Sequence, residues 1–187
     1  MSDPDPTVPR SGTTLILGPS NAGKTRLTAR ALADWLDREG TEGVVVFEFA
    51  PEIERDGRVL GGRLDRFYTP PRGVWTGVLD AHAPRAAADS PEEAVDLAAD
   101  NARRATRLFD AAPADPRAVF VNDATIPFQH DEGDPDRLLD YCATAEIAVL
   151  NALAGDAIAG DDAVSRVERR TLSAFRGGVD RVLELDG

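Results

Sequence analysis

One eight-residue segment, residues 18–25, limits what this chain of 187 residues can fold into more than any other feature. Its sequence, GPSNAGKT, has a glycine at its start and a second glycine directly before a lysine and a threonine. The apolar run 13–17 precedes it, and apolar side chains recur at helical spacing through residues 24–38. This pattern predicts a strand, a glycine-rich turn and a helix in immediate succession.

A turn of this kind suits a phosphate group. Gly18 and Gly23 let the backbone bend so that successive N–H groups point inward, and the start of the following helix adds its positive dipole end. The segment matches the Walker A pattern, GxxxxGK[ST], at every fixed position. Over about the first 38 residues the chain therefore resembles the P-loop NTPase superfamily.

The resemblance implies a set of nucleotide-binding residues and a bound magnesium ion. Lys24 would bridge the β- and γ-phosphates, and the Thr25 hydroxyl would be a ligand of Mg²⁺. The nucleotide-binding set comprises Gly18, Pro19, Ser20, Asn21, Ala22, Gly23, Lys24, Thr25 and Arg26. Lys24 is the only lysine of the chain, which excludes the guanine-recognition motif Asn-Lys-x-Asp elsewhere and favours ATP.

The metal-orienting acid of such proteins ends a second apolar strand, and residues 118–123 (AVFVND) are the best match. Asp123 is then the second metal ligand and a catalytic residue. In the alternative alignment Asn122 replaces the metal acid and Asp123 orients water. Asp80, at the end of the run 74–79, is a competing candidate. No glutamate follows Asp123, a departure from the usual Asp-Glu pair that predicts slow hydrolysis.

A missing catalytic base has other candidate sources. In RecA-like ATPases a glutamate at the end of a neighbouring strand activates water, so Glu48 is predicted to be catalytic, with Glu52 as an alternative. The sequence does not choose among the candidates for an arginine that contacts phosphate, which are Arg85, Arg103, Arg104, Arg169, Arg170 and Arg176.

The rest of the chain alternates short apolar runs with helical patterns. Strands are predicted at 13–17, 43–49, 74–79, 118–122, 146–150 and 181–185, and helices at 24–38, 91–111, 135–143 and 163–175. End-to-end alternation predicts an α/β fold, a three-layer αβα sandwich with a mostly parallel sheet of five or six strands. This agrees with the P-loop NTPase fold that the resemblance implies.

The predicted organisation is a disordered leader at 1–12 and a single domain at 13–187. The segment 50–72, rich in glycine, arginine and proline, fits the alternation least well. It is predicted to form a small hairpin or a lid over the site, because long loops in compact domains are usually functional or disordered.

Charge excludes several classes of partner. The chain has 33 acidic and 21 basic residues and a net charge of −12, which disfavours nucleic acid and anionic membranes. Aspartate exceeding glutamate, with arginine almost replacing lysine, is typical of a GC-rich genome or of a salt-adapted cytoplasm. The strong net negative charge favours salt adaptation, because a GC-rich genome accounts for the arginine but not for the charge. The single cysteine, Cys142, excludes an internal disulfide. No apolar run is long enough to span a bilayer, so a cytoplasmic protein is expected.

Three functions remain open on the sequence. The first is Mg²⁺-dependent binding and slow hydrolysis of a nucleoside triphosphate by a RecA-like core, which resembles the KaiC group. The second is a kinase that transfers the γ-phosphate to a small molecule or nucleotide. The third is a non-catalytic nucleotide-binding module that switches the binding of a protein partner or a second copy of the chain.

Overall fold

The computed structural model describes residues 6–55, 58–60 and 62–186. Its main sheet consists of six strands, β1 (Gly12–Gly18), β2 (Val44–Glu48), β5 (Trp75–Val78), β6 (Ala118–Asn122), β7 (Ile147–Leu153) and β8 (Arg181–Glu184). They lie in the order β5-β2-β6-β7-β1-β8, and every neighbouring pair is parallel. A separate antiparallel hairpin pairs β3 (Ile53–Arg55) with β4 (Arg58–Leu60).

Five helices connect these strands in the described part of the chain. They are α1 (Lys24–Glu39), α2 (Pro84–Ala87), α3 (Pro91–Ala111), α4 (Pro135–Ala143) and α5 (Ala163–Gly178). Single 3-10 turns lie at Leu64–Arg66, Ile126–Phe128 and Asp156–Ile158.

Alternate residues of the central strands feed two separate cores. Leu15, Val45 and Val119 pack with residues of α3, α4 and α5 on one face of the sheet. Ile16, Val46 and other strand residues pack with the leucines and Trp35 of α1 on the opposite face. Burial on both faces explains why these strands are continuously apolar. The result is the predicted three-layer αβα sandwich with a six-stranded parallel sheet.

Side-chain caps fix where three of the helices begin. Ser90 accepts a hydrogen bond from the Glu93 amide at 3.1 Å, Asp134 from Arg137 and Asp162 from Ser165. The first N–H groups of a helix have no partner within the helix, and each cap side chain accepts a hydrogen bond from one of them. Serine and aspartate are favoured at this position because their side-chain oxygens can accept this bond. These caps place α3, α4 and α5 where the sequence predicts them.

Two predictions about organisation fall partly outside the described residues. Of the predicted leader, residues 1–5 are not described; residues 6–11 form no helix or strand, while Val8 packs against the α1 core and Gly12 begins β1. Within the segment 50–72 the structure has the β3–β4 hairpin and a 3-10 turn; residues 56, 57 and 61 are not described.

Two further features concern single elements. Cys142 is buried in α4, and this burial raises the pKa of its thiol to about 12. Among the described residues, no helix combines the length and the apolar character that crossing a bilayer requires.

Candidate functional site

The loop between β1 and α1 has the backbone conformation that its residue types predict. Asn21 and Gly23 adopt positive φ angles of 65° and 90°, a region that asparagine and glycine tolerate best. A side chain at Gly18 would meet the Leu185 carbonyl oxygen at 2.8 Å, so only glycine fits beside the end of β8. The glycines are therefore required by the local geometry itself.

Lys24 begins α1 with its side chain turned back over the loop. Its Nζ donates a hydrogen bond to the Pro19 carbonyl at 2.6 Å, and the residue is only 7% exposed. Burial lowers the pKa of the ammonium group, and the nearby Asp123 carboxylate partly offsets this. A buried ammonium group held by one loop carbonyl can exchange that carbonyl for an anionic ligand.

Asp123 lies directly after β6 with a positive φ of 53°. Within the described residues its carboxylate accepts no hydrogen bond, while its backbone N–H donates to Asn151 Oδ1 at 3.0 Å. Burial raises the pKa of this carboxyl to about 6; Lys24 opposes the shift and Glu168 adds to it by charge repulsion. Among the described residues, the burial of this carboxylate is thus poorly compensated.

Beneath the loop, four polar side chains form a buried chain of hydrogen bonds, which we call the strand-end network: Thr28, Asn151, Asn122 and Glu48. Asn151 Nδ2 donates to Thr28 Oγ1 at 2.9 Å and to Asn122 Oδ1 at 2.8 Å. Asn122 Nδ2 donates to Glu48 Oε1 at 2.7 Å. The network links α1 to the carboxyl ends of β7, β6 and β2.

Glu48 is the far end of this network and does not line the cavity beside the loop. Its Oε2 accepts from the Leu64 amide at 2.7 Å, and its Oε1 accepts from the Ala50 amide as well as from Asn122. Burial nevertheless raises the pKa of Glu48 to about 7, although these hydrogen bonds act in the opposite direction. Through Leu64, and through the bond from Asn122 to the Gly62 carbonyl, the network anchors the segment after β4.

A second polar cluster surrounds Glu168, and we call it the Glu168 cluster: Glu168, Arg85, Thr125 and Gln129. Glu168 is 1% exposed and accepts hydrogen bonds from Thr125 Oγ1 at 2.7 Å, from Gln129 Nε2 at 2.9 Å and from Arg85 Nη1. The donors come from α2 and from the segment after β6. A buried carboxylate with three donors is well compensated.

The loop, Asp123 and the Glu168 cluster line one cavity of about 560 Å³. This volume is in the range of small-molecule sites, roughly 300 to 1,000 Å³. Lys24, Thr25 and Arg26 line it from the start of α1, and Arg66 and the exposed Phe67 line it from the segment after β4. The cavity is positioned at the carboxyl ends of parallel strands, where ligands of open α/β sheets bind.

The structure brings together most of the nucleotide-binding residues predicted from the sequence. The cavity is lined by Ser20, Asn21, Ala22, Gly23, Lys24, Thr25 and Arg26. Gly18 and Pro19 are not in the lining: Gly18 lies against Leu185, and the Pro19 carbonyl accepts from Lys24. Asp123 lines the cavity and Asn122 is buried in the strand-end network. Of the two residues, only Asp123 therefore lines the cavity.

Other candidates lie away from the cavity. The Asp80 side chain is 98% exposed and pairs with Arg104, and Glu52 pairs with Arg63. Of the six arginine candidates only Arg85 lines the cavity.

The segment before α2 is attached to α3 through His82. The His82 ring bonds Asp100 at 2.9 Å, and the His82 backbone exchanges two hydrogen bonds with the Asn101 side chain.

Sequence reasoning missed Glu168, Thr125 and Gln129. One signal was available for Glu168, because it lies at helical spacing in the apolar stripe formed by Val164, Leu172 and Phe175. A carboxylate in a buried stripe needs a partner, which indicates a polar site. No sequence pattern indicates Thr125 or Gln129, since α5 meets them only through tertiary packing.

No protein-family model and no curated protein sequence matches this chain.

Proposed function

We propose that this protein binds a nucleoside triphosphate, with ATP favoured, as its magnesium complex and hydrolyses it slowly. The observation that carries the proposal is the joint placement of the Walker A segment and Asp123 in one cavity at the carboxyl edge of a parallel sheet. The proposal depends on these residues and on the resemblance of residues 18–25 to P-loop NTPases.

The residues present fit a phosphate chain and its metal ion. The loop amides and the start of α1 suit the phosphates. The Lys24 ammonium group, which donates to the Pro19 carbonyl, would donate to a phosphate oxygen instead. Thr25 and Asp123 would hold Mg²⁺, which neutralises phosphate charge when bound. Asp123 lines the same cavity as Thr25, and no donor among the described residues contacts its carboxylate, so its oxygens are available to a cation.

The strand order supports the RecA-like alternative among P-loop proteins. β7 lies between β1, which leads into the loop, and β6, which leads into Asp123. An intervening strand at this point is similar to the arrangement of RecA-like cores.

Slow turnover is proposed because the cavity offers few free carboxylates. Among its described lining residues, the carboxylates are those of Asp123 and Glu168, and Glu168 is held by three donors. Glu48, the base expected from the sequence, accepts three hydrogen bonds and lies outside the lining. These contacts also favour a second candidate function, a nucleotide-dependent switch that binds without turnover.

The first test is calorimetric titration of ATP with Mg²⁺ in molar KCl, for the wild type beside Lys24→Ala. We expect the variant to lose binding by at least about tenfold, since a charge-assisted contact to phosphate contributes about 1.5–3 kcal/mol. Arg38→Ala is the matched control, because it removes a cation from the exposed far end of the same helix. Equal affinities in all three proteins would overturn the proposal.

Product formation from ATP, measured on the same three proteins, separates the two candidates. Turnover that is lost in Lys24→Ala supports the slow hydrolase. Tight, Lys24-dependent binding with no product supports the switch and rejects hydrolysis.

A further inference from the structure

Three arginines are among the described residues that line the cavity: Arg26 at the start of α1, Arg66 after β4, and Arg85. Of these, Arg85 belongs to the Glu168 cluster. Arg85 lies in α2, and one of its terminal nitrogens donates to Glu168. A guanidinium group carries five N–H donors in a planar fork, so this contact leaves others for a ligand. The Arg85 side chain is 27% exposed, whereas the carboxylate that holds it is 1% exposed.

The base of Arg85 is fixed before any ligand arrives. The residues that precede α2 are tied to α3 by the paired hydrogen bonds between His82 and Asn101, at 2.8 and 3.0 Å. Glu168 itself is fixed by Thr125 and Gln129, which follow β6. The Arg85 side chain is therefore held both near its backbone and at its guanidinium group. This arrangement lowers the entropic cost of contacting a ligand.

The cluster lies close to the proposed phosphate site. Thr125 is two residues from Asp123, and the charge of Glu168 acts on Asp123, as does that of Lys24. Two cations, Lys24 and Arg85, thus flank two carboxylates in one cavity. Both cations therefore line the cavity in which the phosphate chain is proposed to bind.

The environment of Gln129 adds an independent observation. The residue is 2% exposed and lines the cavity; its Nε2 bonds Glu168, but its Oε1 is buried without a partner among the described residues. A buried oxygen without a donor is costly. The hydrogen bonds of the Glu168 cluster are therefore incompletely satisfied among the described residues.

We propose that Arg85 recognises the terminal phosphate of the nucleoside triphosphate, and that Glu168 is the positioning residue that holds its guanidinium for this contact. This inference rests on the proposed function. A nucleoside diphosphate lacks the group that Arg85 contacts, so Arg85 contributes to the discrimination of triphosphate from diphosphate. Arginine suits the role because its planar fork matches phosphate oxygens.

The test compares two affinities in each variant: that for a non-hydrolysable ATP analogue and that for ADP, both with Mg²⁺ in molar KCl. In Arg85→Gln we expect the analogue to bind at least about tenfold more weakly and ADP to change less than about twofold. Arg85→Lys, which keeps a charge without the fork, is expected to lie between the variant and the wild type. The control is Arg137→Gln on α4, outside the cavity lining. It removes an arginine and its ion pair with Asp110 of α3.

Loss of the arginine leaves a buried carboxylate unpaired, and this alone can unfold the protein. The double variant Arg85→Gln/Glu168→Gln removes both charges and is expected to show the same loss of discrimination. Glu168→Gln alone keeps the arginine but not its anchor, and its ratio of the two affinities is expected to fall partway. Circular dichroism establishes that each variant is folded.

The two proposals fail in different ways. If nucleotide binding is lost in Lys24→Ala but both affinities in folded Arg85→Gln fall equally or stay unchanged, the Arg85–Glu168 pair is only structural and this inference is wrong. If neither nucleotide binds the wild type, the proposed function itself is wrong.

Discussion

Glu48 ends β2 and Asp123 follows β6, the neighbouring strand, yet the two carboxyl groups have different surroundings. Three donors surround Glu48, and no donor among the described residues contacts the Asp123 carboxylate. Burial raises the pKa of both groups, to about 7 for Glu48 and to about 6 for Asp123. Because only Asp123 lines the cavity, a ligand can compensate Asp123 directly, whereas Glu48 depends on the protein alone.

The pKa of Glu48 predicts a pH dependence of stability. Its folded-state value of about 7 exceeds the ordinary 4.5, so between these values the folded protein binds more protons than the unfolded chain. The free energy of unfolding should therefore fall as pH rises through this window and level off above it. Glu48→Gln does not titrate, so the variant should gain on the wild type with rising pH, by on the order of 3 kcal/mol.

Urea unfolding of both proteins at several pH values in molar KCl measures this difference. Subtracting the wild-type curve removes the part of the Asp123 titration that both proteins share, and the remaining difference includes the repulsion between the Glu48 and Asp123 charges. Glu146→Gln, which changes an exposed glutamate paired with Arg117, is the control, and we expect a much smaller pH-dependent difference for it. A constant difference between Glu48→Gln and the wild type would show that Glu48 does not retain its proton in the folded state.

At the scale of helices and strands, local sequence signals predict the elements well. The predicted strand at 118–122 and the helices at 91–111 and 135–143 agree with β6, α3 and α4 residue for residue. Other ends differ by one to three residues, as at β7, which continues past residue 150 to Leu153. The extension is explained by its partner, because β7 pairs with β1 along all seven residues.

What the sequence could not predict depends on contacts between distant elements. The order of the strands is one example. The Glu168 cluster is another, since it requires α5, α2 and the segment after β6 to meet. The loop was predictable because its glycines, lysine and threonine lie in one segment whose conformation is local. Glu48 was chosen as a base from its place at a strand end, which does not reveal that amides of residues 50 and 64 surround it.

The cap of α3 gives a prediction at this scale. Ser90 Oγ accepts from the Glu93 amide, and Glu93 Oε2 accepts in turn from the Asp89 amide at 2.7 Å. Ser90→Ala should lower the free energy of unfolding by about 1 kcal/mol, because an N–H group at the start of α3 loses its partner. Chemical denaturation measures the change.

Ser173→Ala is the matched control for this change. Ser173 is exposed within α5, where alanine has the higher helix propensity, so the control should be neutral or stabilising by up to about 0.5 kcal/mol. Equal effects at the two positions would mean that the Ser90 hydroxyl does not stabilise α3.

For the whole molecule, the net charge affects stability in solution. The net charge is −12, and many exposed arginines are already paired with acids, as in the pairs of Arg137 with Asp110 and Arg170 with Asp131. The excess acids therefore repel one another over the surface. Salt screens this repulsion, since the Debye length falls from about 10 Å at 0.1 M to about 3 Å at 1 M.

We accordingly expect the thermal unfolding midpoint to rise as KCl increases from dilute buffer to about 1 M. The triple variant Asp96→Asn/Asp115→Asn/Asp140→Asn tests the cause, because it reduces the net charge to −9 (three fewer than −12) at exposed positions outside the cavity lining. It should unfold at a higher temperature than the wild type in dilute buffer and respond less to KCl, since less repulsion remains to be screened. Differential scanning calorimetry at each salt concentration gives both quantities. An identical salt response in the two proteins would assign the stabilisation to salt effects on apolar burial instead of charge repulsion.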